Sequence, residues 1–157
     1  MGVGPSTKET SLHHFRDPLL EVISKDEEVD LIGVIVVGTP QDNHTKQLVG
    51  KRTATWLSAI DCEGVILSAD GWGNSDVDFA NTMAEIGDRG MSVVGLKFIG
   101  KQAKFVVENQ YTNLVVDINK SEAGVETEVV GENTLGVLDA RKALALLKLK
   151  MRKDRGG

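Results

Sequence analysis

Residues 64–97 read GVILSADGWGNSDVDFANTMAEIGDRGMSVVGLK, and the parsing of this stretch decides the fold. Gly64-Val-Ile-Leu67 is a short apolar run, and Met91-Ser-Val-Val-Gly-Leu-Lys97 is a second, mainly apolar one. Runs of this length and composition suit strands. Between them lie a polar, glycine-containing corner and then a segment with helical spacing that ends near Gly90. Ser75, followed three residues later by Asp78, predicts a capping box at the start of that helix. Strand, helix and strand in this order imply parallel pairing through a right-handed crossover.

The pattern extends outward on both sides. Leu31-Ile-Gly-Val-Ile-Val-Val-Gly38 is unbroken in its apolar character, as expected of a strand covered on both faces. Thr39-Pro-Gln-Asp42 reads as a capping box with Thr39 as N-cap and opens a helix over about 40–60. Leu48, Val49, Trp56, Leu57 and Ile60 fall on one side of that helix, and Lys46, Lys51 and Arg52 largely elsewhere. Asp17 and Pro18 start an earlier helix, behind an N-terminal extension over 1–16. Downstream, a short helix over 100–108 and a strand over 114–118 lead into a polar connector, 119–134, in which Thr127–Val130 offers an edge strand. The C-terminal helix, 136–152, lines up Ala140, Ala143, Leu144, Leu147 and Met151. The expected architecture over 1–157 is one three-layer α/β domain, an open sheet of four to five mainly parallel strands with helices on both faces.

Composition narrows the function classes. With 18 basic and 23 acidic residues the net charge is −5, which disfavours nucleic acid as a partner. The basic run Lys148–Arg155 suits the negative pole of a helix end. Cys62 is the single cysteine, so neither an intramolecular disulfide nor a cysteine-rich metal centre is expected, and a reducing cytoplasm fits. His13, His14 and His44 lack ligand spacing, so no metal site is expected. No apolar run approaches the roughly 20 residues that span a bilayer, and the start of the chain lacks a signal-like core. The G-x-G-N string over 71–74 lacks the third glycine of a dinucleotide fingerprint.

In open parallel sheets, ligands bind beyond the carboxyl ends of the strands. The connectors 38–41, 69–75, 97–101 and 117–120 should therefore share one edge. Thr39 and Ser75 serve as caps or as site residues, or both. Gly71 and Gly73 turn the chain, and Trp72, held between them, suits contact with a ligand or partner. Lys97 and Lys101 read either as solvated charges or as anchors for an anion.

The paired histidines 13 and 14, the Pro-led helix, LIGVIVVG, the long helix and then Glu63–Asp78 resemble the C-terminal, pyruvoyl-subunit part of the D-proline reductase proprotein and of the component B proproteins of glycine, sarcosine and betaine reductases. The likeness runs over about 7–118 and is nearest the D-proline reductase branch. Gly71, Gly73, Asn74, Asp76 and Asp78 carry its most specific string, and Phe98-Ile-Gly-Lys101 adds to it. The resemblance implies a selenium-dependent amino-acid fermentation system, the Stickland reaction, in which an oxidoreductase opens the D-proline ring to 5-aminovalerate. There a pyruvoyl carbonyl captures the substrate amine and a selenolate on another subunit attacks. It assigns catalytic positions to His13, His14, Asn74 and Asp76, and substrate-binding positions to Thr39, Gly71, Trp72, Gly73, Asp78 and Lys101. The processing cysteine of the family precedes the paired histidines, where this chain has Val3-Gly-Pro-Ser6, which leaves Ser6 as the remaining candidate. No intrinsic cofactor is expected; the pyruvoyl group and selenocysteine would belong to partner subunits of a D-proline reductase, with self-association left open. The implied role is an unprocessed subunit or accessory paralogue, against a non-catalytic binding module or an assembly factor.

Overall fold

The computed structural model describes residues 17–69, 74–100, 107–125, 129, 132 and 134–156. In chain order the elements are α1 (Pro18–Ile23), α2 (Asn43–Ala59), β1 (Gly64–Ala69), α3 (Asn74–Gly87), β2 (Ser92–Lys97), β3 (Val115–Asp117) and α4 (Val137–Arg155). The strands form a parallel sheet in the order β1-β2-β3. The α/β class and parallel pairing expected from residues 64–97 are therefore present, with three strands among the described residues rather than four or five.

β2 is buried at all six positions and organises both layers. Its side chains alternate, as a strand requires. Val93 joins Ala54, Leu57, Phe79, Met83 and Ile86 beneath α2 and α3, whereas Leu96 joins Phe98, Val116, Ile118, Ala140 and Ala143 beneath α1 and α4. At Gly95 a Cβ would meet the Phe79 ring at 2.8 Å and Val115 at 2.7 Å, so the missing side chain lets α3 lie close to the sheet.

The capping chemistry is local. Asp17 accepts from the Leu19 amide at 2.9 Å to start α1, as its place before Pro18 predicts. Asp139 accepts from the Gly136 amide at 2.8 Å at the start of α4. α2 is capped by Asp42, which accepts from the Thr45 amide at 2.8 Å, and not by Thr39. An ionised carboxylate three residues ahead of the amide makes the stronger bond there, and its neighbours hold it below the usual carboxylate range, with the Thr45 side-chain hydrogen bond first.

Two further expectations are corrected. Leu31–Gly38 is not a covered strand: it joins no sheet, and Ile32, Val34 and Val36 are 55%, 63% and 84% exposed. Composition makes the run competent to pair, but α1 packs on α4 and α2 on α3, so no described layer closes over it. On α2 the buried face is Lys46, Gly50, Ala54 and Leu57, while Trp56 and Ile60 point to solvent. Small residues at 50 and 54 admit α3 closely, which the larger side chains at 56 and 60 would prevent. The short helix over 100–108 and the edge strand at 127–130 fall mostly outside the described residues.

Candidate functional site: a buried double ion pair beneath the strand ends

The pairing register sets the carboxyl ends of the strands level: Ala69 lies beside Lys97, and Lys97 beside Asp117. Two of these three terminal residues carry charge. Lys97, on the α3 side of β2, is 1% exposed and pairs with Asp76 of α3 at 2.6 Å. Its ammonium also stands 5.9 Å from the centroid of the Phe79 ring. Lys46 of α2, also 1% exposed, pairs with Asp78, two residues further along α3. Residues two apart on a helix face different neighbours, so Asp76 fastens α3 to the sheet and Asp78 fastens it to α2.

Burying four charges is costly unless each is paired, and the two lysines and two aspartates neutralise one another. Asp76 lies in the first turn of α3, where the positive pole of the helix also favours it. Asp78 uses one oxygen for Lys46; its other oxygen, Oδ1, is buried and meets no hydrogen-bond donor among the described residues. Asp78 is thus not the partner of a Ser75 cap, and Ser75 lies inside the helix. The amide of Asn81 adds a 3.4 Å bond to the Lys46 carbonyl, and Asn74 donates to Gln41 at 3.3 Å, joining the start of α3 to the turn before α2.

A second anchor lies at the end of β3. The Asp117 carboxylate accepts from the amides of Ile99 at 2.9 Å, Gly100 at 3.0 Å and Asn119 at 2.9 Å. One side chain therefore ties the connector after β2 to the connector after β3. Gly100 adopts φ +58°, and a Cβ there would meet the Asn119 side chain at 2.6 Å, so both conformation and space call for glycine.

Of the residues singled out from sequence, Asn74, Asp76 and Asp78 come together at the start of α3. Thr39 is exposed before α2, connected to them through Gln41 and Asn74. His13, His14, Gly71, Trp72, Gly73, Lys101 and Ser6 lie outside the described residues. Lys97, read from sequence as a solvated charge or an anchor for an anion, instead pairs with Asp76 in the interior; Asp117 enters only as part of its connector, and Lys46 is not among the candidates. Lys46 stands four and eight residues before Gly50 and Ala54, and Lys97 continues the buried alternation of Val93 and Gly95. Each periodicity is a signal that the charge obscured.

Cys62 tests whether this chain can supply a cysteine-derived electrophile to the site. Its Sγ lies 3.2 Å from the Gly64 carbonyl, half-buried, and burial raises the thiol above its usual range. It precedes β1, so the length of that strand, roughly 20 Å for six residues, separates it from the level strand ends. The thiol therefore does not fit that role. Among the described residues no group of His, Cys, Asp or Glu is placed to hold a metal ion, and no helix is long and apolar enough to cross a membrane.

Comparison with known proteins follows the same loops. Residues 2–100 match the family model described as glycine/sarcosine/betaine reductase component B subunits. The chain is 43% identical over 146 residues to the D-proline reductase proprotein PrdA of Acetoanaerobium sticklandii, covering 93% of this chain and 23% of that protein. It is 26% identical over 106 residues to the sarcosine reductase complex component B subunit alpha of Peptoclostridium acidaminophilum, covering 65% of this chain and 25% of the relative. The chain thus spans about a quarter of the length of these relatives. No solved structure matches it. With the matched segment taking in the long helix, the polar corner, and both buried lysines, the chain belongs to the family of glycine, sarcosine and betaine reductase component B subunits, alongside the D-proline reductase proprotein.

Proposed function

We propose that this protein is an unprocessed paralogue of the pyruvoyl-bearing D-proline reductase subunit, acting as a subunit or accessory of that oxidoreductase. The carrying observation is the 43% identity across 93% of the chain, in a sequence whose single cysteine lies at the wrong end of β1. In this reading the chain's own residues shape and hold a crevice. Lys46 and Lys97 fix Asp78 and Asp76 of α3, Asp117 holds two connectors, and Asn74 and Thr39 lie beside them; His13, His14, Gly71, Trp72, Gly73 and Lys101 are the further positions that the family likeness assigns to the site. The electrophilic carbonyl and the selenol that open the D-proline ring come from partner reductase polypeptides in the cytoplasm, so no bond-making step is assigned to this chain.

A non-catalytic binding module, or an assembly factor used while the reductase matures, is the second reading. Asp76 and Asp78 favour it, because both are buried in ion pairs with Lys97 and Lys46, an arrangement that serves structure and not chemistry. Mass spectrometry of the natively isolated complex separates these readings. The first expects the intact chain at fixed stoichiometry with reductase subunits. A mass loss matching cleavage at Ser6, with a hydrazine-reactive carbonyl on the new terminus, would overturn the unprocessed assignment. Presence only in immature reductase would favour the assembly factor.

A further inference from the structure

Leu31–Gly38 combines features that rarely coexist on a finished surface. It carries no charge, five of its eight residues are Val or Ile, and none of its backbone groups bonds to another described backbone group. Its most exposed large side chains, Ile32, Val34 and Val36, stand at every second position, the period of a strand. An open row of amides and carbonyls beside β-branched side chains is a template for another strand.

The charges flanking this run discriminate between occupants. Upstream, Glu27 and Asp30 are exposed and form no ion pair with a described residue, whereas Asp26 and Glu28 are engaged by Lys148 and Arg152. Between Lys25 and Lys46 the sequence contains no lysine or arginine. Two copies of this chain paired in parallel would set acid against acid. Paired antiparallel, they would bring Glu27 and Asp30 towards Gln41 and Asp42, which again supply no cation. Like charges placed opposite one another on paired strands are destabilising. A second copy is therefore a poor occupant, and a strand bordered by lysine or arginine is a good one.

We propose that Leu31–Gly38 is a docking strand that adds to an open, β-branched sheet edge of a reductase polypeptide, with a basic residue of that partner meeting Glu27 and Asp30. The assignment rests on the D-proline reductase reading above and names the surface through which that association is made.

Binding of the purified chain to purified, processed D-proline reductase is the test, read by calorimetry and by amide hydrogen exchange. In the chain alone the amides of 31–38 should exchange freely, and in the complex they should become protected. Val34→Lys/Val36→Lys should weaken binding at least tenfold with an unchanged thermal unfolding profile, since both side chains are exposed in the free chain. Asp30→Lys should weaken it several-fold at low salt and less at high salt. Protection of 31–38 in the isolated chain would overturn the proposal, whether the cover is another part of the same chain or a second copy. Undiminished binding by the double lysine variant would overturn the docking strand while leaving the reductase reading standing. Freely exchanging amides with no binding by the wild-type chain would remove the reductase reading and, with it, this occupant.

Discussion

Lys97 is the residue on which the site turns, because it ends the central strand, pairs with Asp76 and lies over Phe79. A buried ion pair is not stabilising by default: removing one partner leaves an uncompensated charge and costs about 3–5 kcal/mol, whereas replacing both with apolar residues is often neutral. Lys97→Met should thus destabilise the fold by about that amount in chemical denaturation, and Lys97→Met/Asp76→Leu should recover most of it. Additive losses in the double variant would mean that the two side chains do not act as a pair. The same logic applies to Lys46 and Asp78, with one difference: the second carboxylate oxygen of Asp78 is buried without a donor among the described residues. Asp78→Asn should therefore be milder than Lys46→Met, because the amide removes a charge where no second donor is present, and the two melting temperatures compare directly.

At the scale of elements, close approach and terminal anchoring set the architecture. The Tyr111 ring lies against Gly87 at the end of α3, where a Cβ would overlap it, and its hydroxyl donates to Asp88 at 2.9 Å. Gly87→Ala should lower stability by about 1–3 kcal/mol despite alanine's better helix propensity, since a rigid ring cannot step aside as a flexible chain can. The far end of α4 is fastened differently: Ser92 at the start of β2 donates to Asp154 at 2.5 Å, and Lys150 pairs with the same carboxylate at 2.7 Å. Lys150 first and Ser92 second hold Asp154 below its ordinary range. A carboxylate with a lowered folded pKa contributes stability that is present above its unfolded pKa and lost as pH falls through the folded one. The wild-type melting temperature should accordingly drop below about pH 4, and Asp154→Asn should flatten that part of the profile. These elements differ in how far the sequence discloses them. α1, α4 and the strand-helix-strand core follow from caps and periods contained in a dozen residues. Leu31–Gly38 does not, because whether an apolar run is covered depends on layers supplied from elsewhere. The burial of Lys46 and Lys97 is not disclosed for a related reason: a lysine is normally solvated, and only the aspartates of a helix many residues away make its burial tolerable. Asp42 displaced Thr39 as the cap because several residues in one turn could fill that position and local pattern does not rank them.

For the whole molecule, the order β1-β2-β3 puts the two hydrophobic cores on opposite faces of one sheet, and each face depends on different parts of the chain. The α2 and α3 face draws its buried residues from 54–93, with Tyr111 and Val115 packed against them, whereas the other face waits for α4. Stopping the chain before residue 137 should leave Val94, Leu96 and Phe98 uncovered, and the shortened protein should bind a hydrophobic dye and precipitate where the full chain does not; a soluble, cooperatively melting fragment would contradict this dependence. The same arrangement has a consequence during synthesis. A ribosome releases the central strand well before the helix that shelters one of its sides, so the nascent polypeptide carries a wet apolar face until α4 is made. Chaperone engagement should therefore be concentrated in that interval and should end as α4 emerges.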